Sequence, residues 1–150
     1  VYFLYNDTKI ITLVVKKIQD QFKKNIVVGA SGKTESKELE DTILGFFKGS
    51  IDILVCTTII ESGLDVTNAN TMIINNAQNF GLAQLYQIRG RVGRGKRQAS
   101  CLLLLPHGKV LGKDSYNRLK AIEQNTILGS GYDISQRDLD HVQKELRKLF

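Results

Sequence analysis

The feature that most constrains the fold of this chain is the alternation of short apolar runs with amphipathic segments. The five apolar runs have the length of strands and occupy residues 2–5, 26–30, 51–56, 71–75 and 99–106. Strands that alternate with helices predict right-handed crossovers and a mostly parallel sheet, covered by helices on both faces. We therefore expect an α/β domain over residues 1–108, followed by a helical extension over residues 109–150.

The predicted helices lie between the apolar runs. The first carries apolar residues at helical spacing, namely Ile11, Val14, Ile18 and Phe22. Asn6 and Asp7 precede it and are expected to cap it. The second helix is expected to have an apolar face made of Leu39, Ile43, Phe46 and Phe47. Gly49 is placed to end that helix.

Three further helices are expected in the second half of the chain. They lie at about 82–88, at about 114–124, and near the C-terminal end. The last of them has one apolar stripe, formed by Leu139, Val142, Leu146 and Leu149. This stripe favours a core or docking face over a chemical function.

Charge and cysteine content narrow the classes of function. The formal net charge is +6, and the stretch RGRVGRGKR concentrates basic residues, which favours a polyanionic partner. No apolar run approaches the roughly 20 residues that span a membrane, so no membrane partner is expected. Cys56 and Cys101 lie in apolar runs, which predicts reduced thiols and a cytoplasmic location. Neither has a His or Cys at metal-ligand spacing, and no metal site is predicted.

The segment GASGKT, residues 29–34, raises the question of whether the chain hydrolyses a nucleotide by itself. A phosphate loop needs a glycine five residues before its Gly-Lys pair, so that backbone N–H groups converge on phosphate. That position holds Val27, inside an apolar run. We therefore expect a strand-to-helix turn with Thr34 near the helix cap. A second interpretation is a phosphate contact in which Ser31 and Lys33 assist a helix N-terminus.

The segment QIRGRVGR, residues 87–94, contains the most informative charges. Arg91 and Arg94 are three residues apart, about one helical turn, and each adjoins a glycine. Two permanently charged, forked donors suit a transferring γ-phosphoryl group. A solvated basic loop that binds nucleic-acid phosphates explains the same spacing equally well.

The segment CTTIIESGLDV, residues 56–66, follows an apolar strand, where parallel sheets place ligands. Thr57 and Thr58 offer hydroxyl and N–H donors for a phosphate backbone. Asp65 is able to accept a hydrogen bond from a ribose hydroxyl. Gly63 and Asp65 are also common turn residues, so an ordinary turn remains an alternative.

Taken together, residues 56–106 resemble motifs V and VI of superfamily 2 helicases and translocases. The segments TTIIESGLDVTNANT and LAQLYQIRGRVGR are most similar to the second RecA-like domain of bacterial transcription-repair coupling factors. RecG-type branch-migration helicases are the near neighbours. The resemblance covers roughly residues 1–140 and implies a RecA-like fold.

The resemblance also implies roles for individual residues. Arg91 and Arg94 would reach the β- and γ-phosphates of ATP, with Arg94 as the arginine finger, and Gln87 would couple the nucleotide to DNA. Gly63 would shape a loop from which Asp65 touches the nucleotide sugar or the motif VI arginines. A DNA backbone contact is implied for a set of loop residues, namely Ser31, Gly32, Lys33, Thr57 and Thr58.

The protein that the resemblance implies is longer than this chain. ATP would bind in the cleft between this domain and an N-terminal RecA-like domain, which would carry the phosphate loop and hold Mg²⁺. The implied partners are double-stranded DNA, RNA polymerase and excision-repair proteins. The implied function is an ATP-driven translocase that links arrested transcription to repair, and this domain alone would not hydrolyse ATP.

Two departures from the family pattern limit what the resemblance implies. Thr67 stands where the family has proline after GLDV. Residues 128–140 resemble the start of the motif that couples hydrolysis to translocation, but the chain continues with HVQKELRKLF. A nucleic-acid-binding module without motor activity and a self-contained phosphate-loop enzyme are the alternative functions.

Overall fold

The computed structural model describes residues 1–58, 69–92, 99–108 and 110–124. The strands are β1 (Tyr2–Leu4), β2 (Val27–Ala30), β3 (Ile53–Cys56), β4 (Thr71–Ile74) and β5 (Ser100–Leu103). The helices are α1 (Ile11–Gln21), α2 (Ser36–Lys48), α3 (Leu82–Arg89) and α4 (Lys113–Gln124), with a 3₁₀ turn at Ala77–Asn79.

The five strands form one sheet in the order β2-β3-β1-β4-β5, and every pairing is parallel. The central strand β1 pairs Phe3 with Val55 on one side and with Ile73 on the other. The predicted parallel α/β sheet is therefore confirmed. Because all strands run in the same direction, their carboxyl ends meet at one edge.

Helices cover both faces of the sheet, as expected. On one face, Val14 and Ile18 of α1 pack with Phe3 and Val55. On the other face, Leu4 and Leu54 belong to a larger cluster with residues of the remaining helices, namely Phe46 of α2, Leu85 and Ile88 of α3, and Ile122 of α4. Strands that are buried on both faces explain why their sequences are continuously apolar.

Polar side chains occupy backbone groups along the edge strand β2. The amide of Gln19 accepts a hydrogen bond from Val27 N at 3.1 Å and donates to Asn25 O at 2.8 Å. The Asp52 carboxylate accepts from Ile26 N at 2.8 Å. Side chains therefore satisfy part of this strand edge.

The predicted cap of the first helix is wrong, and one of its four predicted apolar positions is exposed. The helix begins at Ile11 after Ile10, without a side-chain cap. The Asp7 carboxylate instead accepts from Lys9 N at 2.9 Å, which closes a local turn before the helix starts. Phe22 follows the last helical residue and is 45% exposed, so it is not on the buried stripe.

The other helix predictions within the described residues agree with the structure to within about one residue. Gly49 ends α2 with φ of +79°, a left-handed conformation that favours glycine. The predicted helix at the C-terminal end lies outside the described residues. The strand expected to close at Pro106 ends earlier, at Leu103, since its pairing partner β4 ends at Ile74.

Two arginines attach α4 to the segments that follow β4. Arg89 Nη1 donates to Ile122 O at 3.3 Å, and Arg118 Nη2 donates to Gln78 O at 3.1 Å. The Ile122 side chain is buried in the cluster shared with α3. Helix α4 therefore packs directly on the sheet domain, and the division at residue 108 stays a prediction.

Candidate nucleotide and nucleic-acid interface

The carboxyl edge of the sheet brings together several of the predicted site residues. The loop after β2 carries Ser31, Gly32 and Lys33, and the segment after β3 carries Thr57 and Thr58. Thr57 N donates to Ala30 O at 3.3 Å, which holds the two segments side by side. The adjacency follows from the pairing of β2 with β3.

The turn at residues 31–34 uses most of its own polar groups. Ser31 N donates to Thr34 Oγ1 at 2.9 Å, and Lys33 N donates to Ser31 Oγ at 3.3 Å. Thr34 N donates to Ser31 O at 2.8 Å. A phosphate loop needs these N–H groups to point at the ligand, so this turn does not have that form. Gly32 and Lys33 are exposed at the surface of the turn.

Gly29, the first glycine of GASGKT, has a packing role. A Cβ atom at this position would lie 2.8 Å from Val15 Cγ2 of α1. Glycine therefore allows the helix to approach β2 closely. This contact explains the residue without any phosphate ligand.

The two threonines after β3 differ sharply in exposure. Thr57 is 2% exposed, and its buried Oγ1 has no hydrogen-bond partner among the described residues. Thr58 is partly exposed, and its Oγ1 lies 3.4 Å from Asn6 Oδ1. In this conformation only Thr58 presents its side chain to a surface ligand.

A small polar cleft of about 110 Å³ lies at the carboxyl ends of β1 and β4. The chain leaves β1 toward β2 and leaves β4 toward β5, in opposite directions, so the cleft lies at a topological switch point. Amides and aromatic rings dominate its lining, which comprises Tyr5, Asn6, Asp7, Asn75, Asn76, Asn79 and Phe80. The uncharged amides combine donors and acceptors in one place.

Sequence reasoning missed this cleft. Its clearest signal was the Asn75-Asn76 pair directly after β4, because asparagine tolerates left-handed backbone. Asn76 has φ of +50° in the structure. Asn6 was assigned to a helix cap, and its contact with Thr58 depends on the pairing of β1 with β3, which the sequence does not specify.

Helix α3 and the residues just after it carry two further predicted residues, Gln87 and Arg91. Gly81 N donates to Gln84 Oε1 at 3.0 Å at its start. Gln87 is exposed, and Arg91 is partly buried one turn further on, where its N donates to Ile88 O at 3.2 Å. These two residues lie on a different element from the threonines. Their amide and guanidinium donors have the chemistry to bind a nucleotide phosphate.

The intervening Arg89 faces another environment. Its guanidinium carbon lies 5.4 Å from the centre of the Tyr86 ring, and its Nη1 bonds to α4. Three of the predicted residues, Gly63, Asp65 and Arg94, lie outside the described residues, as does Thr67. Their roles stay predictions.

The described residues contain neither a cluster of three potential metal ligands nor a helix that could cross a membrane. Cys56 and Cys101 are both free cysteines. Burial raises the pKa of the Cys56 thiol to about 12. Burial also raises the pKa of Cys101 to about 12, and the nearby Arg89 charge opposes the shift.

Comparison with known proteins identifies the class. Residues 2–96 match the model of the helicase conserved C-terminal domain, and the chain belongs to that family. Within the family it is 42% identical over 140 residues to a transcription-repair-coupling factor of Helicobacter pylori, and 46% identical over 140 residues to that of Staphylococcus aureus strain USA300. Each alignment covers 93% of this chain.

Solved structures agree with this assignment. RecG bound to a three-way DNA junction matches 99% of this chain and 22% of its own, with 32% identity and a TM-score of 0.70. The C-terminal domain of the DEAD-box protein Dbp5 matches 98% of this chain and 81% of its own, with 20% identity and a TM-score of 0.66. The predicted RecA-like fold and the resemblance are thereby confirmed. The chain spans 14% of the Helicobacter relative and 12% of the Staphylococcus relative.

Proposed function

We propose that this chain acts as the second motor domain of an ATP-dependent double-stranded DNA translocase of the coupling-factor type. The single observation that carries the proposal is 42–46% identity over 140 residues to transcription-repair-coupling factors. A non-catalytic nucleic-acid-binding module is less well supported, since the sequence has both Arg91 and Arg94 together with Asp65, and binding to a nucleic-acid backbone alone would not need this set.

The proposed nucleotide site is completed by a second RecA-like domain. In this chain Arg91 and Arg94 contact the β- and γ-phosphates, Gln87 couples them to DNA, and Asp65 contacts the sugar or the arginines. The guanidinium groups stabilise charge on the transferring phosphoryl group. The partner domain supplies the phosphate loop and Mg²⁺. The hydrogen bonds that close the turn at residues 31–34 support the assignment of the phosphate loop to the other domain, because they occupy N–H groups that a phosphate would need.

The proposed DNA track runs across the loops after β2 and β3. Thr58, Gly32 and Lys33 lie at the surface there and have donors for phosphate oxygens. Ser31 and Thr57 are buried, and their proposed role is to hold these two loops in position. Binding through phosphates is expected to be independent of sequence and sensitive to salt. The neutral amides of the adjoining cleft extend the polar surface along the same edge.

The first experiment measures ATP hydrolysis by this chain alone, with and without duplex DNA. We expect no turnover, because half of the nucleotide site is on another domain. Turnover by the chain alone would refute the proposal. In the complete protein, Arg94→Ala is expected to lower DNA-stimulated kcat by about 10³-fold while duplex binding is retained, in the range of known arginine fingers. Unchanged hydrolysis in Arg94→Ala would favour the binding module.

The similarity to RecG favours one second candidate, a branch-migration helicase. The two candidates are distinguished by their preferred substrate. A coupling-factor translocase moves along plain duplex, measured by displacement of a triplex-forming strand. For a branch-migration enzyme we expect unwinding of three-way junctions in preference to triplex displacement on plain duplex.

The remaining roles follow from the coupling-factor proposal. RNA polymerase and excision-repair proteins are the proposed protein partners, and the bacterial cytoplasm is the proposed location. Co-purification of the complete protein with stalled RNA polymerase tests the first of these. Absence of polymerase from the complex, with junction unwinding intact, would favour the second candidate.

A further inference from the structure

One face of the sheet is covered by a single described helix. A row of paired residues runs across this face, from Val55 of β3 through Phe3 of β1 and Ile73 of β4 to Leu102 of β5. Helix α1 packs on the Val55 and Phe3 end of the row and makes its main contacts with β2 and β3. The other described helices place their buried apolar residues on the opposite face, namely Phe46 of α2, Leu85 and Ile88 of α3, and Ile122 of α4.

A single helix is too narrow for this face. The five strands lie about 4.8 Å apart, so the sheet is roughly 19 Å wide between its outer strands. A helix with its side chains is about 10 Å across and therefore covers about two strands. Helix α1 leaves room for one more helix over β4 and β5. We call this part of the face, formed by Ile73, Leu102 and Leu104, the β4–β5 patch.

The β4–β5 patch is apolar, and the described residues cover it incompletely. Ile73 and Leu104 contact the margin of the α1 cluster but remain partly exposed. Leu102 is 6% exposed, yet it belongs to neither of the two clusters of the described residues. All three side chains are aliphatic, so the patch fits an apolar partner and offers no side-chain donor to a phosphate.

The chain carries one predicted amphipathic helix that is not among the described elements. Its apolar stripe has helical spacing and comprises Leu139, Val142, Leu146 and Leu149. The opposite side of the same helical period is charged, with Asp140, Lys144, Arg147 and Lys148. As a helix, residues 139–149 would extend about 15 Å. Four-residue strands such as β4 and β5 have a similar length of about 13 Å.

We propose that residues 139–149 dock on the β4–β5 patch as a helix and complete the helical layer on this face. The apolar stripe covers Ile73, Leu102 and Leu104, and the charged side faces solvent. Helix α4 ends at Gln124 on the opposite face. The 14 residues that follow, 125–138, extend to about 46 Å, which exceeds the width of the sheet. The chain is therefore long enough to pass around the edge strand β5.

The tail of the same chain is the favoured occupant of the patch. A tether raises the effective concentration of the segment to roughly millimolar, whereas a second copy of the chain offers the same stripe only at its own concentration. The patch lies on a face of the sheet, away from the carboxyl edge that carries the proposed DNA contacts. The proposal is therefore independent of the proposed function.

The test joins the two surfaces chemically. Ile73→Cys and Leu146→Cys are combined in one chain and treated with a short bismaleimide in native buffer. We expect a monomeric cross-linked product that forms at a rate independent of protein concentration. The matched control combines Ile73→Cys with Lys144→Cys on the charged side, which should cross-link about tenfold more slowly because the helix turns this side away from the sheet. The unsubstituted chain, with Cys56 and Cys101 alone, is the blank.

Stability gives an independent readout of docking. Leu146→Glu puts a charge against the patch, so we expect a lower urea midpoint. We also expect about tenfold faster hydrogen exchange at Leu104 N, which donates to Ile74 O at 2.8 Å. Lys144→Glu is the matched control and should change neither quantity.

Four results would overturn the proposal. Equal cross-linking of the two tail positions would show a tail that is tethered but not docked, and a dimeric product would assign the patch to a second copy of the chain. Absence of any cross-linked product would place the segment elsewhere. Equal urea midpoints for Leu146→Glu and Lys144→Glu would show that the apolar stripe adds nothing to the stability of the domain.

Discussion

Thr58 Oγ1 and Asn6 Oδ1 lie 3.4 Å apart and connect the segments that leave β3 and β1. The hydroxyl has a single proton, and a phosphate oxygen accepts but does not donate. For Thr58 to donate to phosphate, the Asn6 amide must turn so that its nitrogen donates to Thr58 Oγ1. The orientation of an amide is assigned from its hydrogen bonds, so both orientations are compatible with this contact.

Asn6 is therefore expected to support the proposed DNA contact of Thr58. Thr58→Ala should lower the slope of log K against log salt for duplex DNA by about 1, as for one lost phosphate contact. Asn6→Asp should weaken binding more than Asn6→Ala, because a carboxylate cannot donate and repels phosphate. Fluorescence anisotropy at several salt concentrations measures both effects.

A second threonine–asparagine pair, at the opposite edge of the sheet, provides the control for the DNA-binding variants. Thr71 Oγ1 lies 3.2 Å from Asn70 Oδ1 at the amino end of β4, away from the carboxyl edge. Thr71→Ala and Asn70→Asp should leave the DNA affinity within about twofold, since exposed changes far from the bound phosphates have small effects. A comparable loss in this pair would show that the proposed DNA track is misplaced.

For Thr57 we expect that removal of the side-chain hydroxyl stabilises the protein. Its buried hydroxyl has no partner in the part of the chain that the structure describes, so Thr57→Val should raise the free energy of unfolding by about 1 kcal/mol. Urea denaturation of the chain measures this change. A decrease would mean that the hydroxyl makes a stabilising contact in solution.

Gly29 is expected to be essential for packing. Gly29→Ala places a Cβ against Val15 Cγ2 and should destabilise the fold by about 1–3 kcal/mol. Val15→Ala should restore part of the loss in the double variant. Gly112 is the control, because a Cβ there would have no neighbour within 4 Å among the described residues. If Gly29→Ala were as stable as Gly112→Ala, the close approach of α1 would not constrain this position.

Because the Cys56 thiol is buried, we expect the stability of the protein to fall at alkaline pH. The pKa of Cys56 rises from 9.0 to about 12 on burial, and the unfolded thiol therefore ionises first. Its contribution to stability is complete below pH 9 and decreases as the pH rises toward 12. Urea midpoints measured across this range should fall more in the native protein than in Cys56→Ala. An equal fall in both would assign the alkaline transition to other groups.

The same burial predicts slow thiol chemistry. At pH 8 the Cys56 thiolate should be almost absent, so iodoacetamide should modify it only after unfolding. Mass spectrometry after timed labelling in native buffer and in urea measures the rates. Rapid labelling of the native protein would show that β3 opens readily.

The elements of the fold were predictable because each carries its own periodic pattern. Strands buried on both faces, such as β3 with Leu54 and Val55, read as continuous apolar runs. The order of the strands was not predictable, since it depends on which runs pair. For the same reason the contact between Asn6 and Thr58 was invisible in the sequence.

The sequence indicated which residues belong to the candidate site better than it indicated how their side chains are arranged in space. The two threonines after β3 look equivalent in sequence, yet the pleat buries Thr57 and leaves Thr58 partly exposed. Phe22 matched the helical period but lies past the end of α1, because apolar spacing does not specify where a helix stops.

The hydrogen bonds of Gln19 have a consequence for the behaviour of the protein at high concentration. An unprotected edge strand is a template for another chain, and such contacts initiate aggregation. In β2 the amide oxygen of Gln19 accepts a hydrogen bond from Val27 N. The Gln19 side chain therefore occupies one of the donors that an added strand would need at this side of the sheet.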